Sequence, residues 1–349
     1  MYFCRHYAII FLNKLILEKG ILLKKTTKNL SDTDRKEFLK KKQAEKMARD
    51  MERHRKKIIK EREIERERKL IQIENDFFKK QSRAITLTIG NQKGGVGKTT
   101  NTYLIAYVLS KFGINTLVVD LDPQSNSTKT LMLTKSKDND EINTINKTIM
   151  RGVEEHDFTD LPVNIQPCLD LLPSYIDFED FTKYLYKNTS TEYEETHLLE
   201  PLIDPLKDKY DIILLDVPPL NIETTKNAVV CSDYVLVSLQ TQEDSLSGAE
   251  SYINTLLNLK QQYSLPVEII GFLAVLSEKR NSVDQLILQS AKDEFGEDII
   301  FKTVVPQMAR IKRFPIKGIT EHDYYDRQVI GIYREVTHEL IERLIKMND

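Results

Sequence analysis

Short apolar runs alternate with longer amphipathic stretches from residue 84 onward. AITLTIG (84–90), NTLVVDLD (115–122), DIILLD (211–216), DYVLVSLQ (233–240), VEIIGFLAVLS (267–277) and DIIFKTVVP (298–306) are rich in aliphatic and β-branched residues. Runs of this kind predict strands covered on both faces of a sheet. Helical stretches separate them: Thr99 to about Phe112, residues 245–263 (SLSGAESYINTLLNLKQQY) and residues 281–295 (NSVDQLILQSAKDEF). A last helix, from about Asp323 to Met347, gathers Val329, Ile330, Tyr333, Val336, Leu340, Ile341, Leu344 and Ile345 on one broad face, as a helix packed on a sheet does. Strands alternating with helices predict an α/β fold with a doubly wound, mainly parallel sheet.

Residues 31–80 follow another rule. They contain no Gly or Pro and are crowded with Lys, Glu and Arg, all good helix formers. Phe38, Ala44, Met47, Met51, Ile58, Ile64 and Leu70 are too sparse for sustained heptads. The pattern predicts an extended, charged N-terminal helix. Its charges either serve only as a solvated face, laced by i,i+4 pairs such as Glu65 with Lys69, or form a basic arm that touches DNA or a partner. Residues 1–30 are mildly apolar but broken by Asn13 and Lys14, short of the roughly 20 apolar residues a membrane span needs. An alternative reading puts the true start downstream of them. The chain thus divides into residues 1–30, an arm over 31–80 and a large domain over 81–349.

Composition sharpens this division. Hydrophobic residues make up 40% of the 349, enough for a sizeable core in the large domain. The net charge of −2 conceals an asymmetry, because residues 1–80 carry about +11 and leave about −13 for the rest. Cys4, Cys168 and Cys231 are scattered and odd in number, which argues against a disulfide framework or a zinc centre and fits a reducing cytoplasm.

The most informative residues are NQKGGVGKTT, 91–100. A glycine-rich loop between strand and helix turns backbone N–H groups toward phosphate oxygens, and the helix N-terminus adds partial positive charge. Gly94, Gly95 and Gly97 permit the close approach, Lys98 supplies a point charge to the β- and γ-phosphates, and the Thr99 hydroxyl suits Mg²⁺. The loop therefore predicts a P-loop NTPase sheet and an ATP site. Gln92 stands where the common pattern has glycine, and a second lysine, Lys93, stands at the front.

That extra lysine resembles the deviant Walker A group, which includes ParA, MinD, the nitrogenase iron protein and arsenite-pump ATPases. LVVDLDPQSNST (117–128), with Asp120 and Asp122, is similar to the group's second motif. ILLDVPP (213–219), with Asp216, resembles its Walker B strand. An iron protein needs cluster-holding cysteines that this sequence lacks. A MinD-type membrane ATPase ends in a basic amphipathic helix, whereas HELIERLIKMND mixes both signs. An arsenite-pump type carries two phosphate loops, and one is present. The resemblance is closest to the ParA/Soj partition family, over about residues 84–346.

The resemblance implies a nucleotide site at Gly94, Gly95, Val96, Gly97, Lys98, Thr99, Thr100 and Pro306, with Mg²⁺ held by Thr99, Asp120 and Asp216. It implies that Lys93 reaches across a homodimer to the partner's phosphates and that Asp122 orients the attacking water. TVVPQMARIKRFPIKG (303–318) is similar to the family's late basic segment, so Arg310, Lys312, Arg313 and Lys317, with Arg280, are the implied contacts to non-specific DNA. The family further implies a nucleoid-associated protein without membrane attachment, slow hydrolysis and a ParB-type partner that stimulates it. Two alternatives are a MinD-type positioning ATPase and a nucleotide-bound DNA-binding regulator. No Gly-marked turn splits residues 1–80 into a helix-turn-helix, which leaves operator binding without a visible module.

Overall fold

The computed structural model describes residues 32–136, 144–219, 221–241, 243–277 and 282–348. The chain forms two units, Met1–Leu70 and Ile71–Asp349. In the first unit the described residues are helical. They belong to α1 (Asp32–Lys80), which carries the expected i,i+4 pairs Arg49–Glu45, Lys56–Glu52, Lys57–Glu61 and Lys69–Glu65. All four are solvent-exposed, so water and salt screen them and each adds little to helix stability.

The second unit is built on an eight-stranded sheet. Its strands are β1 (Ile85–Gly90), β2 (Thr116–Asp120), β3 (Val163–Gln166), β4 (Leu169–Leu172), β5 (Ile212–Asp216), β6 (Tyr234–Gln240), β7 (Glu268–Ser277) and β8 (Val305–Pro306). The order is β3-β4-β2-β5-β1-β6-β7-β8, and every pair is parallel except β3 with β4. After α1, the helices of eight residues or more are α2 (Lys98–Lys111), α3 (Asn126–Lys135), α4 (Phe181–Asn188), α5 (Ile222–Val230), α6 (Glu243–Tyr263), α7 (Ser282–Phe295) and α8 (Tyr324–Asn348). Successive strand residues point to opposite faces, and both faces are buried. Val118, Ile212 and Leu214 join a core with α2 and α8. Leu117, Val119, Ile213 and Leu215 join a second core with Phe178 and Phe181. The doubly wound α/β expectation holds. Among the described residues no helix is long and apolar enough to cross a membrane.

The last ten residues of α1 belong to the sheet unit. Phe78 is buried in its core, Asn75 Nδ2 donates to the carbonyl of Phe112 at 2.8 Å, and the buried Glu74 meets His338 Nδ1 at 2.6 Å. These contacts belong with the second unit, which begins at Ile71.

One expected strand is largely absent. Within 298–306 only Val305–Pro306 pairs as a strand, with an isolated bridge between Ile300 and Phe272. Side chains of α8 take over the remaining backbone groups. Glu339 accepts from the N–H of Lys302 and of Thr303 at 2.8 and 3.0 Å, and Arg343 donates to the carbonyls of Asp298 and Ile300, both at 2.9 Å. A ladder gives way where side chains already satisfy its donors and acceptors.

Candidate phosphate-binding site

The loop 91–97 leaves β1 at the carboxyl edge of the sheet, where adjacent strands bring three carboxylates. Ile89, Asp120 and Asp216 lie abreast in register on β1, β2 and β5. Asp122 follows β2 directly. Gly95 and Gly97 adopt positive φ, 77° and 90°. A Cβ at Gly97 would be strained at that φ and would stand 3.2 Å from Val275 Cγ2, so glycine alone lets the chain turn into α2 there.

Side chains outside the motif hold the loop. Asn91 is buried; its Nδ2 donates to the carbonyl of Ser238 and its Oδ1 accepts from the N–H of Lys93, each at 2.8 Å. Ser238 Oγ donates to the carbonyl of Val96 at 2.6 Å and accepts from Asn101 Nδ2 at 3.0 Å. The hydroxyl of Tyr333, on α8, donates to Asn101 Oδ1 at 2.8 Å. These buried groups satisfy one another, so the loop is held before any nucleotide arrives. Sequence reasoning gave no role to Asn91, Asn101, Ser238 or Tyr333, because nothing in a single chain marks which buried polar groups will meet.

Lys98 is buried, and its Nζ donates to the carbonyl of Lys93 at 2.8 Å. Burial lowers its pKa to about 8, against the opposing pull of Asp216 and Asp122. Thr99 Oγ1 donates to Asp216 Oδ1 at 3.2 Å and Ser127 Oγ to Asp216 Oδ2 at 2.7 Å. Asp120 is engaged on both oxygens: Oδ2 accepts from the N–H and hydroxyl of Thr128 at 2.8 and 2.7 Å, and Oδ1 from the N–H of Asp122 at 3.1 Å. It thereby seats the first turn of α3 and fixes the backbone of Asp122. Burial pushes Asp120 and Asp216 above the usual carboxylate range, and neighbouring carboxylates add to the shift.

Asp216 and Asp122 act on one lysine, and Asp120 adds a third carboxylate beside Asp216, so the site gains from a further cation; Thr99 beside Asp216 offers the oxygen donors Mg²⁺ prefers. Val96 is buried under the loop, and Thr100 lies 3.4 Å from the hydroxyl of Tyr103. Pro306 ends β8, opposite Ser277.

The basic segment after β8 is divided by the structure. Arg310 is mostly buried and paired with Asp323 and Asp326, so its charge is spent anchoring the segment to the start of α8. Lys312, Arg313 and Lys317 are exposed around the buried Phe314. The N–H of Ile319 donates to Thr134 Oγ1 at 2.9 Å, which ties this segment to the far end of α3. Arg280 lies outside the described residues.

The lysine shift sets a pH dependence. Nucleotide affinity is expected to weaken as pH rises through 8, by up to about tenfold per unit, because phosphate selects the protonated lysine. In the free protein the sign is opposite. The lowered pKa costs stability below 8, and the cost is relieved as pH climbs from about 8 toward the ordinary 10.5. Titration with a fluorescent ATP analogue from neutral to alkaline pH checks this, and a flat profile refutes it.

The family described as AAA domain matches residues 82–269. The sporulation initiation inhibitor protein Soj of Bacillus subtilis is 29% identical over 233 residues, 66% of this chain and 88% of the Bacillus protein. Chromosome partitioning protein ParA of Caulobacter vibrioides is 28% identical over 260 residues, 74% of this chain and 94% of its own. In fold, the chain is similar to a plasmid partition protein of Borrelia burgdorferi bound to AMPPNP, with a TM-score of 0.59 and 23% identity over 76% of this chain and 99% of that one.

Proposed function

The chain belongs to the AAA-domain family, with a chromosome-partitioning ATPase Soj and a chromosome partitioning protein ParA among its relatives, and from that premise we propose that it is an ATP-dependent DNA-segregation switch. One observation carries the reading. A glycine loop with Lys93 and Lys98 meets Asp120, Asp122 and Asp216 at the carboxyl ends of three adjacent parallel strands. In open α/β sheets this edge is where ligands bind.

ATP is held by Gly94 to Thr100, with Pro306 at its flank. Thr99 and Asp216 hold Mg²⁺, and Asp120 supports them from behind by fixing Asp122 and α3. An ion held there would offset the charge of the phosphate oxygens. Lys98 exchanges its contact with the carbonyl of Lys93 for phosphate oxygens. Asp122 orients the water that attacks the terminal phosphorus, and the bond to the ADP oxygen breaks in line. Lys93 reaches the phosphates of a second copy, so ATP favours a closed dimer.

Lys312, Arg313 and Lys317 from each subunit then form one surface for phosphate backbones, which binds duplex without regard to sequence. The path from site to surface runs along α3, seated by Asp120 at one end and tied to Ile319 at the other. Hydrolysis opens the dimer and releases the DNA held by that joint surface. A ParB-type partner accelerates a slow intrinsic rate, and the protein resides on the nucleoid while ATP is bound.

The deciding experiment is an electrophoretic shift of non-specific duplex with ATP, ADP or no nucleotide, for wild type and Lys93→Ala. An ATP-dependent increment that disappears in Lys93→Ala supports the switch. An increment unchanged by Lys93→Ala, or no response to ATP, removes it.

A further inference from the structure

The part of α1 that lies in the first unit carries a second pattern, distinct from the nucleotide switch. Lys46, Arg49, Arg53, Lys56 and Lys60 follow one another at spacings of three and four, so they share one face of the helix. All five side chains are exposed. Arg49 and Lys56 face Glu45 and Glu52, while Lys46, Arg53 and Lys60 have no acidic partner among the described residues. At a rise of 1.5 Å per residue the stripe is about 21 Å long.

We propose that this stripe is a second, nucleotide-independent grip on the phosphate backbone of duplex DNA. A linear array of cations matches a linear polyanion, since duplex DNA presents a phosphate about every 1.7 Å along its axis. The distribution of apolar residues argues against a bilayer as the occupant. Met47 and Met51, 67% and 68% exposed, and the half-buried Ile58 lie about 160° round the helix from the stripe. A helix lying in a membrane surface needs its cations flanking the apolar face, where they reach the headgroups. Here, burying the methionines turns the lysines away. The consequence is that ADP-bound or nucleotide-free protein stays on DNA, and the ATP cycle modulates residence rather than switching it from nothing.

The test is fluorescence anisotropy of the full chain on a short non-specific duplex, without nucleotide and with ATP, between about 50 and 200 mM salt. Three proteins are compared: wild type, the stripe variant K46Q/R49Q/R53Q/K56Q/K60Q, and the control R55Q/R62Q/R66Q/R68Q/K69Q. The control removes equal charge from other positions of α1. Without nucleotide, the slope of log affinity against log salt is expected to be shallower in the stripe variant by about 3 to 4.5. Over that salt range, the contribution lost amounts to roughly 50- to 500-fold in affinity. The control retains most of the wild-type slope.

Equal slopes in wild type and stripe variant overturn the proposal. So does an equal loss in both variants, which would mean net charge alone, or a stripe-dependent binding to phosphatidylserine vesicles with none to DNA. Should glutamine replacement lower helicity by circular dichroism, wild type alone decides, and a nucleotide-free slope shallower than about 3 overturns the grip. The ATP-dependent increment reads the other surface. Its absence in wild type counts against the switch and leaves the stripe standing.

Discussion

Lys98→Ala is expected to lower ATP turnover by about 10³-fold and to weaken nucleotide binding together with it. The side chain has two tasks. It supplies the buried positive charge among Asp120, Asp122 and Asp216, and its Nζ ties the loop to itself through the carbonyl of Lys93. Alanine removes both, leaving buried carboxylates with nothing to offset them and a carbonyl without its donor. Asp122→Ala should behave differently. That carboxylate accepts the N–H of Gln124 at 2.9 Å and contributes no ligand to the loop. Nucleotide should therefore bind nearly as in wild type while turnover falls by about 10²-fold or more. Steady-state phosphate release and equilibrium binding of a labelled nucleotide, measured on both variants, separate the two roles. Turnover within tenfold of wild type in Lys98→Ala would refute the site.

Gly90→Ala is expected to destabilise the sheet unit by about 1–3 kcal/mol and to disturb the loop. A Cβ there would sit 2.1 Å from both Cζ and the hydroxyl oxygen of Tyr252, and 2.6 Å from Cε1. Tyr252 is 1% exposed and packs within α6, so it has no room to withdraw. Strain should pass to Asn91, the next residue, and through it to the N–H of Lys93. Thermal melting reads the loss. Tyr252→Leu, introduced in the Gly90→Ala background, is expected to restore part of both stability and ATP affinity by vacating that volume. A Gly90→Ala protein that melts with wild type and binds ATP normally would show that the ring moves aside freely. Among the described residues the buried Tyr252 hydroxyl has no hydrogen-bond partner.

The long parallel strands and the phosphate loop were legible because each is specified locally. An aliphatic run has one stable environment, and a glycine loop before a helix has one kind of ligand. The hairpin of β3 and β4 was missed because VNIQ and LDLL are four residues long, and the turn between them relies on Cys168 at a φ of 62° rather than on glycine. α3 was missed for another reason. NSTKTLMLTK opens with residues that favour caps and turns, and the helix is seated by a buried aspartate on β2. The segment 298–304 failed as a strand because Glu339 and Arg343, some 40 residues later, answer its backbone. Arg310 belongs to the same class. Sequence shows four cations between residues 310 and 317; only the fold shows that Asp323 and Asp326 claim one of them. Local chemistry was readable, and pairing across the chain was not.

The hydroxyl of Tyr333 completes the polar chain that begins at Asn91, and it comes 232 residues after its partner Asn101. α8 also closes the core over α2. A ribosome makes the chain from the other end. The phosphate loop therefore leaves the exit tunnel long before the residue that steadies it, and the sheet, whose eighth strand ends at Pro306, must wait without the helix that covers it. Domains fold as units once their chain is available. Nascent protein would thus be unable to engage nucleotide until α8 has emerged, and chains lacking that helix would not enter the cycle.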